Sequence, residues 1–118
     1  MELKDLAEFG FNISEGLELC ADDEEIYTEV LEAALEEGLE KLDFIEDLYQ
    51  KDDRERYVIE VHGLKNAAKQ IGADNLSEMA KFSELTGKAG DFETVRKKHP
   101  ELMAEYKRIV EALQKFFA

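Results

Sequence analysis

The sequence predicts an all-α fold, an antiparallel four-helix bundle preceded by short extra N-terminal helices. Apolar residues recur every three or four positions along most of the 118 residues, which is the period of an amphipathic helix. No segment alternates apolar and polar residues for more than a few positions, as a half-buried strand would. The chain contains one proline, and its seven glycines form no Gly/Ser-rich linker. Four apolar stripes joined by short connections are best buried in an antiparallel bundle.

Start and stop signals divide the chain into predicted helices. Asp22 and Asp23 supply a cap and first-turn acids for the longest helix, whereas Gly72 and Gly90 each end one. Pro100 suits a first-turn position, so a break is expected after residue 98. The predicted helices cover residues 2–8, a short piece after Ser14, and residues 22–50, 53–71, 74–89, 92–98 and 100–116. Residues 1–118 are expected to form one domain, with the bundle core at about 22–117.

In the predicted helix 74–89, the residues assigned to the apolar side are Leu76, Met79, Ala80, Phe82 and Leu85. His99, next to the proline, is expected to be a cap or an exposed residue. Cys20 is expected to be a small buried residue.

Charge is unevenly distributed along this acidic chain. The formal net charge is −14, and residues 1–60 carry 21 acids against 5 bases, while residues 61–118 carry 8 against 10. Such a chain is repelled by phosphate backbones and anionic membranes, so neither nucleic acid nor membrane is an expected partner. The sequence begins without a signal-peptide pattern, contains no apolar run of about 20 residues and has a single cysteine. These features favour a cytoplasmic protein.

His62 is the candidate functional residue, because it faces away from the predicted core. At about 100° per residue, His62 lies about 140° from the core stripe of its helix and is expected to face water. An incidental surface histidine is the alternative. Lys65 and Lys69 lie along one side of His62, where their ammonium groups could pair with an anion on the imidazole. They also favour the neutral, nucleophilic form of the ring. The core stripe comprises Tyr57, Val61, Leu64, Ala68 and Ile71.

Three neighbours of His62 suggest a surface for a partner. Gly63 in mid-helix costs about 1 kcal/mol relative to Ala, which indicates a need for close approach or simple tolerance by a well-packed helix. Val58 and Ile59 flank His62 one turn towards the N-terminus, off the core stripe. They fit a small docking patch with the lysines as its polar rim. The alternative is that either residue widens the buried face.

The stretch His62 to Ala73, HGLKNAAKQIGA, resembles the signature of histidine-containing phosphotransfer domains. In that family the histidine is followed by Leu, Lys and a small residue, and later by an Ile/Leu-Gly-Ala turn. The segments FNISEGL and DEEIYTEVL resemble the usual opening of these domains, and LSEMA and GKAGD resemble the following helix and turn. Two positions differ, since Asn66 stands where the family commonly has Gly or Ser and Lys69 where a small residue is frequent.

The resemblance implies a phosphorelay intermediate rather than an enzyme. His62 would accept a phosphoryl group from the aspartyl phosphate of one response-regulator receiver domain, or from a hybrid sensor kinase, and pass it to another. Lys65 and Lys69 would assist. The chain would need no cofactor of its own, because the receiver contributes an acidic pocket and Mg²⁺. A monomer suffices for this reaction. The residues expected to contact the receiver are Val58, Ile59, Gly63, Asn66 and Gln70.

One alternative function is a non-catalytic helical module that docks receivers without carrying phosphate. Metal centres are not expected. A di-iron or di-manganese bundle needs Glu-x-x-His on two helices, and neither His62 nor His99 has a glutamate three residues before it. A zinc site fails on ligand spacing, which Cys20 and the two histidines do not provide. The acidic runs are interpreted as helix starts and solvated faces.

Overall fold

The computed structural model describes all 118 residues, and it contains helices and no strand. A 3-10 helix, Leu3–Phe9, precedes α1 (Ile13–Leu19), α2 (Glu24–Gln50), α3 (Arg54–Gln70), α4 (Asp74–Lys88) and α5 (Phe92–Phe116). The all-α prediction is confirmed, as are the two short N-terminal helices. None of these helices has both the length and the apolar character needed to cross a membrane.

Aspartates begin three of the long helices. The side chain of Asp23 accepts hydrogen bonds from the backbone N–H groups of Glu25 and Ile26, at 2.9 and 3.1 Å. Asp53 caps α3 and Asp91 caps α5 in the same way. Each cap satisfies backbone donors that have no partner within the helix, so the starts of these helices follow from local sequence.

The turn between α3 and α4 also anchors the N-terminal segment. Gly72 has a φ of 78°, in the left-handed region that favours glycine. Its carbonyl accepts a hydrogen bond from the backbone N–H of Asn12 at 2.8 Å. A Cβ at Gly72 would collide with the backbone oxygen of Asn12, so no larger residue fits.

Cys20, at the end of α1, was predicted to be buried. In the structure it is half-buried.

The four long helices pack in a ring, in which α2 contacts α3, α3 contacts α4, α4 contacts α5 and α5 returns to α2. The predicted core stripe of α3 is confirmed, since all five of its residues are buried. Large side chains that complete the core include Leu6, Tyr27, Leu31, Ile45, Leu76, Leu102 and Leu113. This packing leaves the opposite face of α3 open to solvent.

The predicted helix break near Pro100 is wrong, because α5 continues through the proline. His99 was expected to be exposed or a cap, but it is 2% exposed. Its Nδ1 lies 2.8 Å from the hydroxyl of Tyr57 on α3, and its Nε2 lies 2.9 Å from Glu46 on α2. Its ring also stacks on Tyr49 at 3.6 Å between centroids. These contacts hold α5 in the core and oppose the break that an interior proline favours.

The predicted apolar side of α4 is wrong in part. Phe82 and Leu85 are 44% and 54% exposed, whereas Ser83, Glu84 and Gly87 are buried. Small residues on this face let α3 and α4 approach closely. Glu84 is the one charged residue buried there, and its partners on α3 are His62 and Lys65. Apolar periodicity therefore does not reveal the buried face of α4.

Candidate functional site

His62 lies in the middle of α3 and faces solvent, with its side chain 50% exposed. The other histidine, His99, has a side chain only 3% exposed. His62 is therefore the histidine that a reactant in solution can reach. Gly63 beside it is exposed, and a Cβ placed there meets nothing within 4 Å. No contact inside this chain requires that glycine.

Glu84 on α4 is the partner of His62 that sequence reasoning missed. Its Oε2 is hydrogen-bonded to Nδ1 of His62, and its Oε1 lies 2.8 Å from Nζ of Lys65. Nζ of Lys88 lies 3.1 Å from Oε2. The Glu84 side chain is only 2% exposed. An unpaired carboxylate at that depth would be strongly destabilising, so its donors are what permit its burial. We call these four residues the His62 cluster.

The pKa of Glu84 lies well below its ordinary value. Burial alone raises the pKa of this carboxyl, but the hydrogen bonds from Lys65, Lys88 and His62 outweigh burial and lower it from 4.5 to about 2. Glu84 is therefore ionised at neutral pH and can only accept hydrogen bonds. It follows that the hydrogen of the neutral His62 ring lies on Nδ1. The lone pair is then on Nε2.

Lys65 and Lys88 place their positive charge around Glu84. Nζ of Lys65 also lies 3.5 Å from Nδ1 of His62, but this is a close approach and not a hydrogen bond, since both atoms carry hydrogen. Two ammonium groups beside one carboxylate leave the His62 cluster with net positive charge when the ring is neutral. That excess favours an anionic group near His62. Lys88 belongs to α4 and was not among the site residues predicted from the sequence.

Lys69 is directed away from His62. Its ammonium group is ion-paired with Glu15 of α1 and lies 3.7 Å from Oδ1 of Asp74. The hydrogen bond to Glu15 raises the pKa of Lys69 above its ordinary value. Of the two lysines predicted to lie beside His62, only Lys65 belongs to the His62 cluster, and Lys69 instead connects α1 to α3 and α4.

Asn66 lies one helical turn after His62, with its amide at the free ring nitrogen. Nδ2 of Asn66 is 3.3 Å from Nε2 of His62. Because Nε2 holds the lone pair, the amide N–H is the donor. Asn66 is exposed, so this contact lies at the open edge of the site.

The predicted docking residues fall into two groups. Ile59 is 58% exposed, and Gly63, Asn66 and Gln70 are exposed on the same helix. Val58 is half-buried, and its Cγ2 would lie 2.7 Å from a Cβ at Gly87 of α4. Val58 therefore widens the buried face of α3, as the alternative interpretation allowed, whereas Ile59 forms part of the open surface.

A surface depression of about 310 Å³ adjoins His62 on its α2 side. Ile59, His62 and Gly63 line it from α3, and Lys41 lines it from α2. Lys41 is ion-paired at 2.6 Å with Glu60 of α3, which also lines the depression. The surface beside His62 thus offers a concave contact area with one exposed apolar side chain.

No protein-family model, curated protein or solved structure matches this chain. No group of three or more His, Cys, Asp or Glu side chains is placed to hold a metal ion. When the ring is neutral, the His62 cluster combines the lone pair of Nε2 on an exposed imidazole with a buried anion at the other ring nitrogen. This arrangement suits nucleophilic attack by Nε2, because Glu84 orients the ring and faces the positive charge that the ring acquires on bond formation.

Proposed function

We propose that this chain is a histidine phosphotransfer protein, which carries a phosphoryl group between receiver-domain aspartates on Nε2 of His62. The observation that carries the proposal is the hydrogen bond between Glu84 and Nδ1 of His62, because it leaves Nε2 as an exposed lone pair in a positively charged setting. The resemblance of residues 62–73 to the family signature supports the same class.

The proposed transfer needs no proton to leave the ring. The lone pair of Nε2 attacks the phosphorus of an aspartyl phosphate in line, the bond from phosphorus to the acyl oxygen breaks, and the aspartate departs with the electron pair. Nδ1 keeps its hydrogen, so the phosphorylated imidazole ring carries positive charge that faces the carboxylate of Glu84. In the reverse step an aspartate of a second receiver attacks the phosphorus and the neutral ring leaves. Mg²⁺ and the acidic pocket belong to the receiver.

Docking is proposed to occur on the open face of α3. Ile59 would contribute an apolar contact beside His62, and the exposed Gly63 would let the receiver approach the ring. Lys65 and Lys88 provide positive charge opposite the carboxylates of the receiver. Val58 takes no part, because it packs against α4.

The proposal includes the arrangement of the four long helices as an antiparallel bundle. Consecutive helices are joined by three residues each, at 51–53, 71–73 and 89–91, and helices joined by such short turns run in opposite directions as neighbours. The closed ring of helix contacts supports the same arrangement. We propose that the chain acts as a monomer, since one exposed histidine per bundle is enough for the reaction. From the sequence features described above, we also propose that it acts in the cytoplasm.

A transfer assay tests the function. A panel of receiver domains is phosphorylated with radioactive acetyl phosphate, purified and incubated with the chain or with His62→Gln. We expect label on the wild-type chain that is labile in acid and stable in alkali, and none on His62→Gln, whose helix content should be unchanged. Label on His99 in the variant would refute the assignment of His62.

Two further readouts sharpen the assay. The proposal places phosphorus on Nε2, and ³¹P and ¹⁵N spectra distinguish this isomer from the Nδ1 isomer. The alternative function, a module that docks receivers without carrying phosphate, predicts binding of receivers with no transfer of label from any of them.

A further inference from the structure

Asn66 carries the hydrogen-bond donor at the nitrogen that the proposed function phosphorylates. Glu84 holds the hydrogen of His62 on Nδ1, and Nδ2 of Asn66 lies 3.3 Å from the lone pair of Nε2. The amide is one turn along the same helix, so its position relative to the ring is set by the backbone of α3.

The lysines near His62 do not occupy this position. Lys65 and Lys88 are bound to Glu84, on the Nδ1 side of the ring. Lys69 is bound to Glu15, on α1. The contact with Asn66 is the single hydrogen bond that Nε2 of His62 makes in the structure. It is also the single hydrogen bond that the Asn66 side chain makes. The amide is therefore free to change partner without breaking another interaction.

We propose that Asn66 holds the phosphoryl group on His62, an inference that rests on the proposed function. In the free protein the amide donates to Nε2. When the lone pair of Nε2 becomes the bond to phosphorus, that nitrogen can no longer accept a hydrogen bond. The phosphoryl oxygens then surround Nε2, within reach of an amide that starts 3.3 Å from it, and the same N–H donates to one of them.

The expected consequence is a longer lifetime of the phosphohistidine. Hydrogen bonds to charged oxygens are stronger than those between neutral groups. Negative charge on the phosphoryl oxygens is greater in the phosphohistidine than in the loose, metaphosphate-like transition state through which it is lost. A donor at these oxygens therefore stabilises the phosphorylated protein more than the transition state, and slows hydrolysis.

The test uses the full chain and a small phosphoryl donor, so that no receiver is needed. Potassium phosphoramidate phosphorylates the wild type and three variants, and ³¹P spectra follow the loss of phosphohistidine at neutral pH. We expect Asn66→Ala to lose its label about 5- to 20-fold faster than the wild type. Asn66→Gln should recover part of the lifetime because it keeps an amide. Gln114→Ala, which removes an exposed amide on α5, should match the wild type.

A second readout comes from the unphosphorylated protein. The ¹⁵N resonance of Nε2 should move towards the value of a nitrogen without a hydrogen bond in Asn66→Ala, while Nδ1 stays unchanged. If the wild type is labelled at His62 and the phosphohistidine of Asn66→Ala lasts as long as that of the wild type, the role of Asn66 is overturned and the proposed function is not. A wild type that takes no label at His62 from phosphoramidate or from any receiver would overturn the proposed function and this inference together.

Discussion

Glu84 and His62, which are 22 positions apart in the sequence, are joined by a hydrogen bond across the interface of α3 and α4. The carboxylate is almost fully buried and the imidazole is half exposed. The protein interior thus fixes Nδ1 of the ring, whereas Nε2 lies on the exposed side, where the Asn66 amide is its hydrogen-bond partner. The reactivity that we propose for His62 depends on this division.

Replacing Glu84 with Gln should lower stability in a pH-dependent way. The pKa of Glu84 in the folded protein, about 2, lies below its ordinary value of 4.5. Its contribution, roughly 3 kcal/mol, is therefore fully present above pH 4.5 and is lost as the pH falls from 4.5 towards 2. Urea unfolding of both proteins across this range should show a gap in the free energy of unfolding that narrows below pH 4.5. A gap of constant size would contradict this assignment of the pKa.

Lys65→Ala should slow transfer from a phosphorylated receiver by about one to two orders of magnitude, or roughly 1.4 to 2.7 kcal/mol. The variant removes one of the two ammonium groups that surround Glu84, and the His62 cluster loses its excess positive charge. Lys69→Ala is the matched control and should change the rate by less than about twofold, because Lys69 is bound to Glu15. Equal rates for Lys65→Ala and the wild type would mean that the receiver supplies all the charge compensation.

Ile59→Ala should weaken receiver binding and leave the fold nearly unchanged. Ile59 is 58% exposed, so the loss in unfolding free energy should stay near 0.5 kcal/mol, about the usual limit for surface substitutions. A buried isoleucine would lose roughly 2 to 5 kcal/mol. Ile26→Ala provides the control, since Ile26 is also an exposed isoleucine, 45% exposed on α2. Its neighbour Tyr27 donates a hydrogen bond to the carbonyl of Ile71. This contact places Ile26 near the C-terminal end of α3, away from His62. If titration calorimetry gives both variants the same receiver affinity, Ile59 is not a docking residue.

Gly63→Ala and Gly87→Ala should change stability in opposite directions. A Cβ at Gly63 meets nothing within 4 Å, so alanine should stabilise α3 by about 0.5 to 1 kcal/mol through its helix propensity. A Cβ at Gly87 would lie 2.7 Å from Cγ2 of Val58, and that variant should be destabilised. Thermal unfolding measures both.

Gly63→Ala should also slow phosphoryl transfer, because the added methyl group lies on the side from which we propose that a receiver approaches His62. A normal transfer rate in the stabilised variant would show that the receiver does not approach closely at this position.

The sequence by itself determined where most helices begin and how α3 is oriented, although not that α5 continues through Pro100. Helical periodicity and aspartate caps act within a few residues, so they are visible in the sequence without knowledge of the packing. The same local geometry placed Val61 in the core and His62 in solvent on one helical wheel. It also placed Asn66 one turn from His62, although not the contact between its amide and Nε2.

Only the tertiary structure decided which residues act on His62. Glu84 and Lys88 belong to α4, whose buried face after Leu76 consists of small residues and Glu84, so its apolar pattern pointed to Phe82 and Leu85 instead. Helical spacing places Lys69 on the same side of α3 as His62, just as it does Lys65. Lys69 nevertheless binds Glu15, because α1 packs against that end of the helix. His99 is buried because Tyr57, Tyr49 and Glu46 from two other helices converge on its ring. Each of these outcomes depends on residues far apart in the chain, and a buried charge or polar ring is stable only where such partners meet.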